Sequence, residues 1–328
     1  MGENNKTVFV TGGHGFVGSF VVRNLIDRGY TVRLLVRESS KTHRVDGLSI
    51  EKFVGDILDL ESMREGMSGC AFCVHLAGIS AYKDMQEDWT IPTIVEGTQN
   101  VFELAHQLGL KRVVYIGSGI TYASHDPDRI ATEDSPFLLG DSGLFYAIGK
   151  HKADALVDAF VAKGLDIVVA IPMETYGPQD DQFLTTGYLK EAINSWPALA
   201  TRGGTSFAHV EDVAEGICLS LENGRAGERY ILGGENATIK EIIQLTLEVA
   251  GRPKAVLVLP TGLTKFVLRT LHNLGLPSPE HPNAVDYGTL YGFTTSEKAK
   301  AELGYRPRSS RAVIESTVDW LRQSGHIS

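Results

Sequence analysis

Thr7-Val8-Phe9-Val10-Thr11-Gly12-Gly13-His14-Gly15-Phe16-Val17-Gly18 is the stretch that decides the fold. Thr7–Val10 reads as a short buried strand. Glycines follow at 12, 15 and 18 and open a helix on which Val17, Val21 and Leu25 form an inward stripe. Gly12 permits a tight turn, Gly15 lets the backbone approach a pyrophosphate, and Gly18 lets the helix lie close to the sheet. The helix start presents unpaired N–H groups and a positive dipole end to phosphates. Three glycines can also mark a purely structural turn. The strand before them and the helix after them favour a dinucleotide site.

Outward from this turn, apolar strands alternate with helical patterns. Strands are expected at Thr7–Val10, Thr31–Val36, Ile50–Val54, Ala71–Leu76, Arg112–Ile116 and Asp166–Ile171. Several are apolar on consecutive residues, as in parallel strands covered on both faces. Helices are expected near Pro92–Leu108 and Phe145–Ala162. The alternation predicts an α/β fold: a Rossmann-type, doubly wound parallel sheet of about seven strands with a smaller C-terminal substrate-binding part. Residues 1–172 are read as the dinucleotide-binding domain. Residues 173–328 are read mainly as the substrate part, with segments around 205–232 returning to the first sheet. In that part, helices are expected near Thr186–Ser195, Ile239–Ala250, Thr261–Leu274 and Ser309–Arg322. Phe207–Leu221 is read as a turn into another helix and Arg229–Leu232 as a strand.

Tyr146-Ala147-Ile148-Gly149-Lys150 puts a tyrosine and a lysine on one helix face. A phenol with a reference pKa of about 10 is a poor base near neutrality. A nearby ammonium and the positive nicotinamide ring would favour its phenolate. Tyr146 can then exchange a proton with a substrate oxygen while hydride moves to or from the nicotinamide. Ser118, in Ile116-Gly117-Ser118-Gly119, falls just past the carboxyl end of the fifth strand, where open α/β sheets place ligands. The alternative is a serine that caps or turns the chain.

These motifs resemble the extended short-chain dehydrogenases/reductases, the NAD(P)-dependent epimerase/dehydratase group, and among them the dihydroflavonol-reductase-like members. The resemblance rests on the GxxGxxG spacing, Gly55-Asp56-Ile57, His75-Leu76-Ala77-Gly78, Ile171-Pro172, Tyr176-Gly177-Pro178 and His209-Val210-Glu211-Asp212-Val213-Ala214, covering roughly residues 6–235. Leu303-Gly304-Tyr305 and Asp319-Trp320-Leu321 extend it. It implies Ser118, Tyr146 and Lys150 as catalytic residues. It implies a cofactor site of Gly12, Gly15, Phe16, Val17, Gly18, Arg37, Asp56, Ile57, Leu76, Ala77, Gly78, Tyr146, Lys150 and Pro172, with Asp56 against the adenine. Ile79, Gly119, Met173 and Glu174 are the candidate substrate residues. The group usually carries an Asn where this chain has Ile94, so a proton relay through that Asn does not carry over. Its dehydratases place an acid shortly after the active-site serine or threonine; Gly119 and Ile120 stand here instead.

The second strand ends Leu35-Val36-Arg37-Glu38. NAD sites place a carboxylate there for the ribose 2′-OH, and NADP sites place an Arg nearby for the 2′-phosphate. Val36 falls at the acid position with Arg37 next, which favours NADP. The rival is NAD, with Glu38 on the ribose and Arg37 solvated.

Composition narrows the rest. The 328 residues are 43% hydrophobic and 22% charged with a net charge of −9, which disfavours nucleic-acid binding. Three cysteines make no disulfide framework, and Cys70 and Cys73 read as packed core thiols rather than a metal or redox pair. No metal site is expected. No apolar run is long enough to span a membrane. The polar start, Met1–Lys6, does not read as a signal peptide, and Lys6 argues against myristoylation, so a cytoplasmic location is expected. Ala255–Leu276 reads as a lid or pocket wall, with membrane association as its rival. A homodimer through the helices near Pro92–Leu108 and Phe145–Ala162 is expected from the resemblance. The function expected is NADP(H)-dependent reduction of a small carbonyl compound, or oxidation of the matching alcohol. The alternatives are a sugar-nucleotide epimerase with tightly held NAD and a dinucleotide-sensing regulator.

Overall fold

A computed structural model describes residues 5–79, 84, 85, 87, 89–276 and 282–327, without the side chains of 263 and 282–284. Residues 1–4, on which much of the leader reading rests, lie outside them.

Seven parallel strands form the main sheet: β1 (Thr7–Thr11), β2 (Thr31–Val36), β3 (Ile50–Val54), β4 (Phe72–His75), β5 (Arg112–Ile116), β6 (Ile167–Pro172) and β10 (Arg229–Leu232). Their spatial order is β10-β6-β5-β4-β1-β2-β3, with reversal beside β1. The register Val10↔Leu34 and Val10↔Val74 centres β1 between β2 and β4. Both faces are covered. Val8 and Val10 join a core with Val21 and Leu25 of α1 (Phe16–Asp27) and Val213 and Ile217 of α6 (Val210–Asn223). Phe9 points the other way, into a core with α2 (Leu60–Met67), α3 (Thr90–Gln107) and α4 (Phe145–Ala162). Burial on both sides is why the central strands read as apolar runs, while β3 at the sheet edge carries the exposed Glu51 and Lys52. The Arg229–Leu232 strand returns to the sheet by pairing with β6.

A smaller layer lies beyond β6. Here β7 (Glu174–Tyr176), β11 (Glu235–Thr238) and β13 (Tyr291–Gly292) all pair with β9 (Gly204–His209). A second pair, β8 (Ala198–Ala200) with β12 (Val256–Val258), joins them. Tyr176, Phe207, Leu189 of α5 (Gly187–Asn194), Ile242 of α7 (Ile239–Val249) and Val318 of α11 (Ser310–Gln323) share one core. The remaining helices are α8 (Thr261–Asn273), α9 (Pro282–Tyr287) and α10 (Glu297–Leu303).

The small sheet corrects the sequence reading. Phe207 lies in β9, not in a turn, and Ala71–Leu76 shortens to Phe72–His75. β11 is Glu-Asn-Ala-Thr and β9 is Gly-Thr-Ser-Phe-Ala-His. Short, polar, glycine-bearing strands carry no apolar period to detect. Among the described residues no helix is long and apolar enough to cross a membrane.

Candidate functional site

The carboxyl ends of the main strands and the small sheet enclose one cavity of about 1330 Å³. Every residue named above as a candidate for catalysis, cofactor or substrate lines it. The sequence scatters them over more than 160 positions; the parallel topology brings them together.

The glycine turn forms one end. Gly12 has φ +71°, and a Cβ there would lie 2.6 Å from the Ala77 nitrogen. Only a glycine allows β1 to turn that close to the end of β4. A Cβ at Gly18 would lie 2.3 Å from the Gly12 oxygen, so Gly18 sets how closely α1 follows the turn. Gly15 caps α1 with extended backbone, leaving the first helical N–H groups facing the cavity mouth. This cradle fits a pyrophosphate. At the end of β2, Arg37 lines the cavity together with Ser39, Ser40, Lys41 and Arg44. Arg44 is nearly buried and is held by Asp181 at 3.1 Å and by the Gln179 carbonyl at 3.1 Å. His14 contributes a buried Nδ1 without a hydrogen-bond partner among the described residues. Burial, and then the charges of Arg37 and Arg44, lower its pKa. Arg44, Lys41 and His14 are not among the site residues expected from the sequence. The basic excess of Arg37-Glu38-Ser39-Ser40-Lys41-Thr42-His43-Arg44 was the signal available. The Asp56 carboxylate accepts the Leu58 N–H at 2.9 Å, which closes the turn after β3.

The middle of the cavity holds Ser118, Tyr146 and Lys150. Ser118 follows β5 and starts the turn Gly119–Tyr122. Tyr146 and Lys150 lie one helical turn apart near the start of α4. The Tyr146 hydroxyl is hydrogen-bonded to Ser118. Lys150 donates to the Ile116 carbonyl at 2.9 Å, and its ammonium lies 5.3 Å from the Tyr115 ring centroid. Burial pulls the Lys150 pKa down to about 8. Burial raises the Tyr146 pKa, and the Ser118 hydrogen bond opposes that only in part. In this state the phenol is a proton donor at neutral pH. Ile94 is buried, and a Cβ at Gly149 would lie 3.2 Å from its Cδ1. That position packs α3 onto α4 and offers no proton path.

Behind this group runs a buried polar chain that the motif reading left unexplained. The Ala77 N–H donates to Thr11 Oγ1 at 3.1 Å. Thr11 Oγ1 lies 2.7 Å from His75 Nδ1, and His75 Nε2 lies 3.2 Å from Thr98 Oγ1. Burial, then the Lys150 charge, depresses His75 to about 3. A neutral imidazole therefore ties β1, β4 and α3 together beneath the Leu76–Gly78 backbone.

The remaining wall comes from the C-terminal part. Phe183, Leu184, Tyr188, Val267 and Leu271 line the cavity. Leu189 faces the core behind α5 instead, and Phe266 is 70% exposed on the outer side of α8. Of the five C-terminal cations that could pair a diphosphate, Lys190, Arg202, Lys265, Arg269 and Arg306, none lines the cavity. Lys265 pairs with Asp286, and Lys190 lies 3.8 Å over the Phe183 ring. Cys70 and Cys73 are buried free thiols, and burial pushes Cys70 up to about 11. No cluster of metal-ligating side chains occurs among the described residues.

The model of the NAD dependent epimerase/dehydratase family matches residues 8–233. The chain belongs to that family. Within it, the chain is 28% identical to the sterol demethylase protein B of Methylococcus capsulatus, over 98% of this chain and 100% of that protein. It is 30% identical to a putative dihydroflavonol 4-reductase of Synechocystis, over 97% and 95%. The crystal structure of gox2253 superposes with a TM-score of 0.82 at 29% identity, covering 99% of this chain and 100% of that one. Membership makes this an enzyme of the NAD(P)-dependent epimerase, dehydratase and reductase group, with an NAD(P)-binding Rossmann fold.

The buried histidine gives a testable pH effect. An unfolded histidine binds a proton near its ordinary pKa of 6.5, whereas folded His75 resists until about 3. The unfolded state therefore binds more protons in that window, and stability falls as pH drops from about 6.5 toward 3. Urea unfolding at pH 7 and pH 5 is expected to show a smaller acid loss for His75→Gln than for the unsubstituted protein. Equal losses would contradict the assignment.

Proposed function

We propose that this protein is an NADP(H)-dependent reductase of a mostly apolar ketone or aldehyde, running in reverse on the matching alcohol. The single observation that carries this reading is the distribution of charge around the cavity. Among the lining residues, Arg37, Lys41, Arg44 and Lys150 are the Arg and Lys members, and none comes from the part after Lys150. A pyrophosphate-linked sugar would need paired cations at the substrate end, because its charge must be neutralised out of water. Apolar walls without them favour a neutral substrate. The names of the two relatives, a sterol demethylase protein and a dihydroflavonol reductase, point the same way.

A bound nicotinamide dinucleotide would supply hydride to the carbonyl carbon. Gly12, Gly15 and Gly18 would hold its pyrophosphate, Asp56 and Ile57 its adenine end, and Leu76–Gly78 and Pro172 would flank it. Arg37, with Lys41 and Arg44, would pair the 2′-phosphate. Ser118 orients the carbonyl oxygen by hydrogen bonding, and Tyr146 gives that oxygen its proton. The raised Tyr146 pKa suits a donor in the reducing direction. Lys150 keeps a positive charge beneath the site at pH values below about 8, which stabilises the phenolate left after transfer. Residues 173–328 supply most of the substrate wall. By resemblance, the outer faces of α3 and α4 pair two copies into a homodimer; sedimentation showing only monomer at micromolar concentration would count against it.

Tyr146→Phe is expected to leave NADPH affinity near that of the unsubstituted enzyme while lowering turnover by about 10²–10⁴-fold. Fluorescence titration and steady-state rates measure the two, and retention of most activity would remove Tyr146 from the chemistry. Arg37→Ala is expected to weaken NADPH binding by roughly 10- to 100-fold, the worth of a charge-assisted contact, with little change for NADH. Equal effects on the two cofactors would make Arg37 a bystander.

A further inference from the structure

Glu174 opens β7 and is held in register with Phe207 of β9, so its backbone is fixed by the small sheet. The residue before it, Met173, packs into the space left by Gly119: a Cβ there would lie 2.5 Å from the Met173 sulfur. Gly119 follows Ser118 directly, so this contact ties the start of β7 to the serine turn. Glu174 itself lines the cavity.

Its carboxylate differs from its acidic neighbours. Asp180 accepts N–H groups from Leu184, Thr185 and Thr186. Glu191 lies 3.9 Å from Lys190. The Glu174 carboxylate has no hydrogen bond and no ion pair among the described residues. Burial, then the charge of Asp180, raises its pKa to about 7. The side chain is half-buried in a mainly apolar cavity, so a bound ligand that excludes water there must supply a donor or leave the carboxylate unsatisfied. Among the described residues no Arg or Lys of the C-terminal part lines the cavity, so that donor comes from the ligand or from water.

We propose that Glu174 determines substrate specificity by accepting a hydrogen bond from a substrate hydroxyl. On that basis the enzyme takes neutral, hydroxyl-bearing carbonyl compounds with apolar bodies and rejects anionic ones. The proposal rests on the carbonyl-reductase reading above and names the substrate class for that site. A hydroxyl needs one acceptor, which Glu174 supplies. An ammonium would need several acceptors and would bring a larger desolvation cost into a lining that includes Leu184, Val267 and Leu271, and is the weaker candidate. Above about pH 7 a carboxylate or phosphate placed beside Glu174 would meet its negative charge.

The test uses the protein saturated with NADP⁺ and reads binding by calorimetry, with turnover of NADPH followed separately. The probes are benzoin and 4-hydroxybenzophenone, each against its methyl ether, with 2-benzoylbenzoate as the anion and 2-amino-1,2-diphenylethanone as the ammonium. The unsubstituted protein is expected to bind at least one hydroxy ketone about 10- to 100-fold more tightly than its ether, the range of a charge-assisted hydrogen bond. It is also expected to exclude the anion and to bind the ammonium more weakly than benzoin. Glu174→Leu is expected to abolish the hydroxyl preference. Glu174→Gln keeps an acceptor but removes the charge, so it is expected to keep part of the preference and admit 2-benzoylbenzoate. The Gln variant tests the proposal even where the Leu variant does not fold. A hydroxyl preference that survives in Glu174→Leu would overturn the proposal. So would equal binding within both pairs by the unsubstituted protein, anion exclusion unchanged in Glu174→Gln, or an ammonium that outbinds benzoin. A Glu174-dependent binding preference without NADPH consumption would support the proposal and sink the reductase reading instead.

Discussion

The structure depends on the contact between the first turn and the end of β4. Gly12 brings the chain within 2.6 Å, measured from a would-be Cβ, of the Ala77 nitrogen. Thr11 takes the Ala77 N–H and passes the connection to His75 and Thr98. This contact sets two neighbouring strand ends at one level, beside the reversal of strand order. Open parallel sheets leave a crevice at such a point. With β1 and β4 locked there, β5 delivers Ser118 and α4 delivers Tyr146 and Lys150 into the same crevice.

The cavity has two electrostatic halves. The half built by the first 150 residues is cationic, with Arg37, Lys41, Arg44 and Lys150. It suits an anionic dinucleotide. The half built by the C-terminal part is apolar with carboxylates. Lys150 sits where they meet, buried and pulled down to about 8 by desolvation, yet still an ammonium near neutrality. Tyr146 beside it stays protonated. On the proposed reductase reading, a protonated Tyr146 beside this ammonium suits giving a proton to a substrate oxygen.

Much of this was legible in the chain. Parallel strands buried on both faces appear as apolar runs; β2, β3 and β5 match the expected spans residue for residue, although β3, at the sheet edge, carries the exposed Glu51 and Lys52. The glycine spacing and the Tyr146–Lys150 spacing were legible because each is a local requirement, of backbone approach in one case and of helix face in the other. What escaped was non-local. β9 holds Phe207 among Gly, Thr, Ser and His, and its strand character comes from partners at 174, 235 and 291. Arg44 reaches the cavity because Asp181 and Gln179 hold it from 135 or more positions away. The isolation of the Glu174 carboxylate is a statement about what surrounds it, and no spacing encodes that. Leu189 and Phe266 are of the apolar type that suits a pocket wall, but helix rotation turns one to the core and the other to solvent.

The most direct test of the account is a single turnover with deuterium at the reactive nicotinamide carbon of NADPH. Enzyme, labelled NADPH and an apolar hydroxy ketone are mixed, absorbance at the nicotinamide band is followed, and the product is analysed by mass and NMR. The account predicts one equivalent of absorbance lost per alcohol formed, with deuterium on the carbinol carbon. Parallel mixtures with UDP- and GDP-sugars should show no reaction. Sugar interconversion without net loss of absorbance, alongside ketones left unreduced, would contradict it.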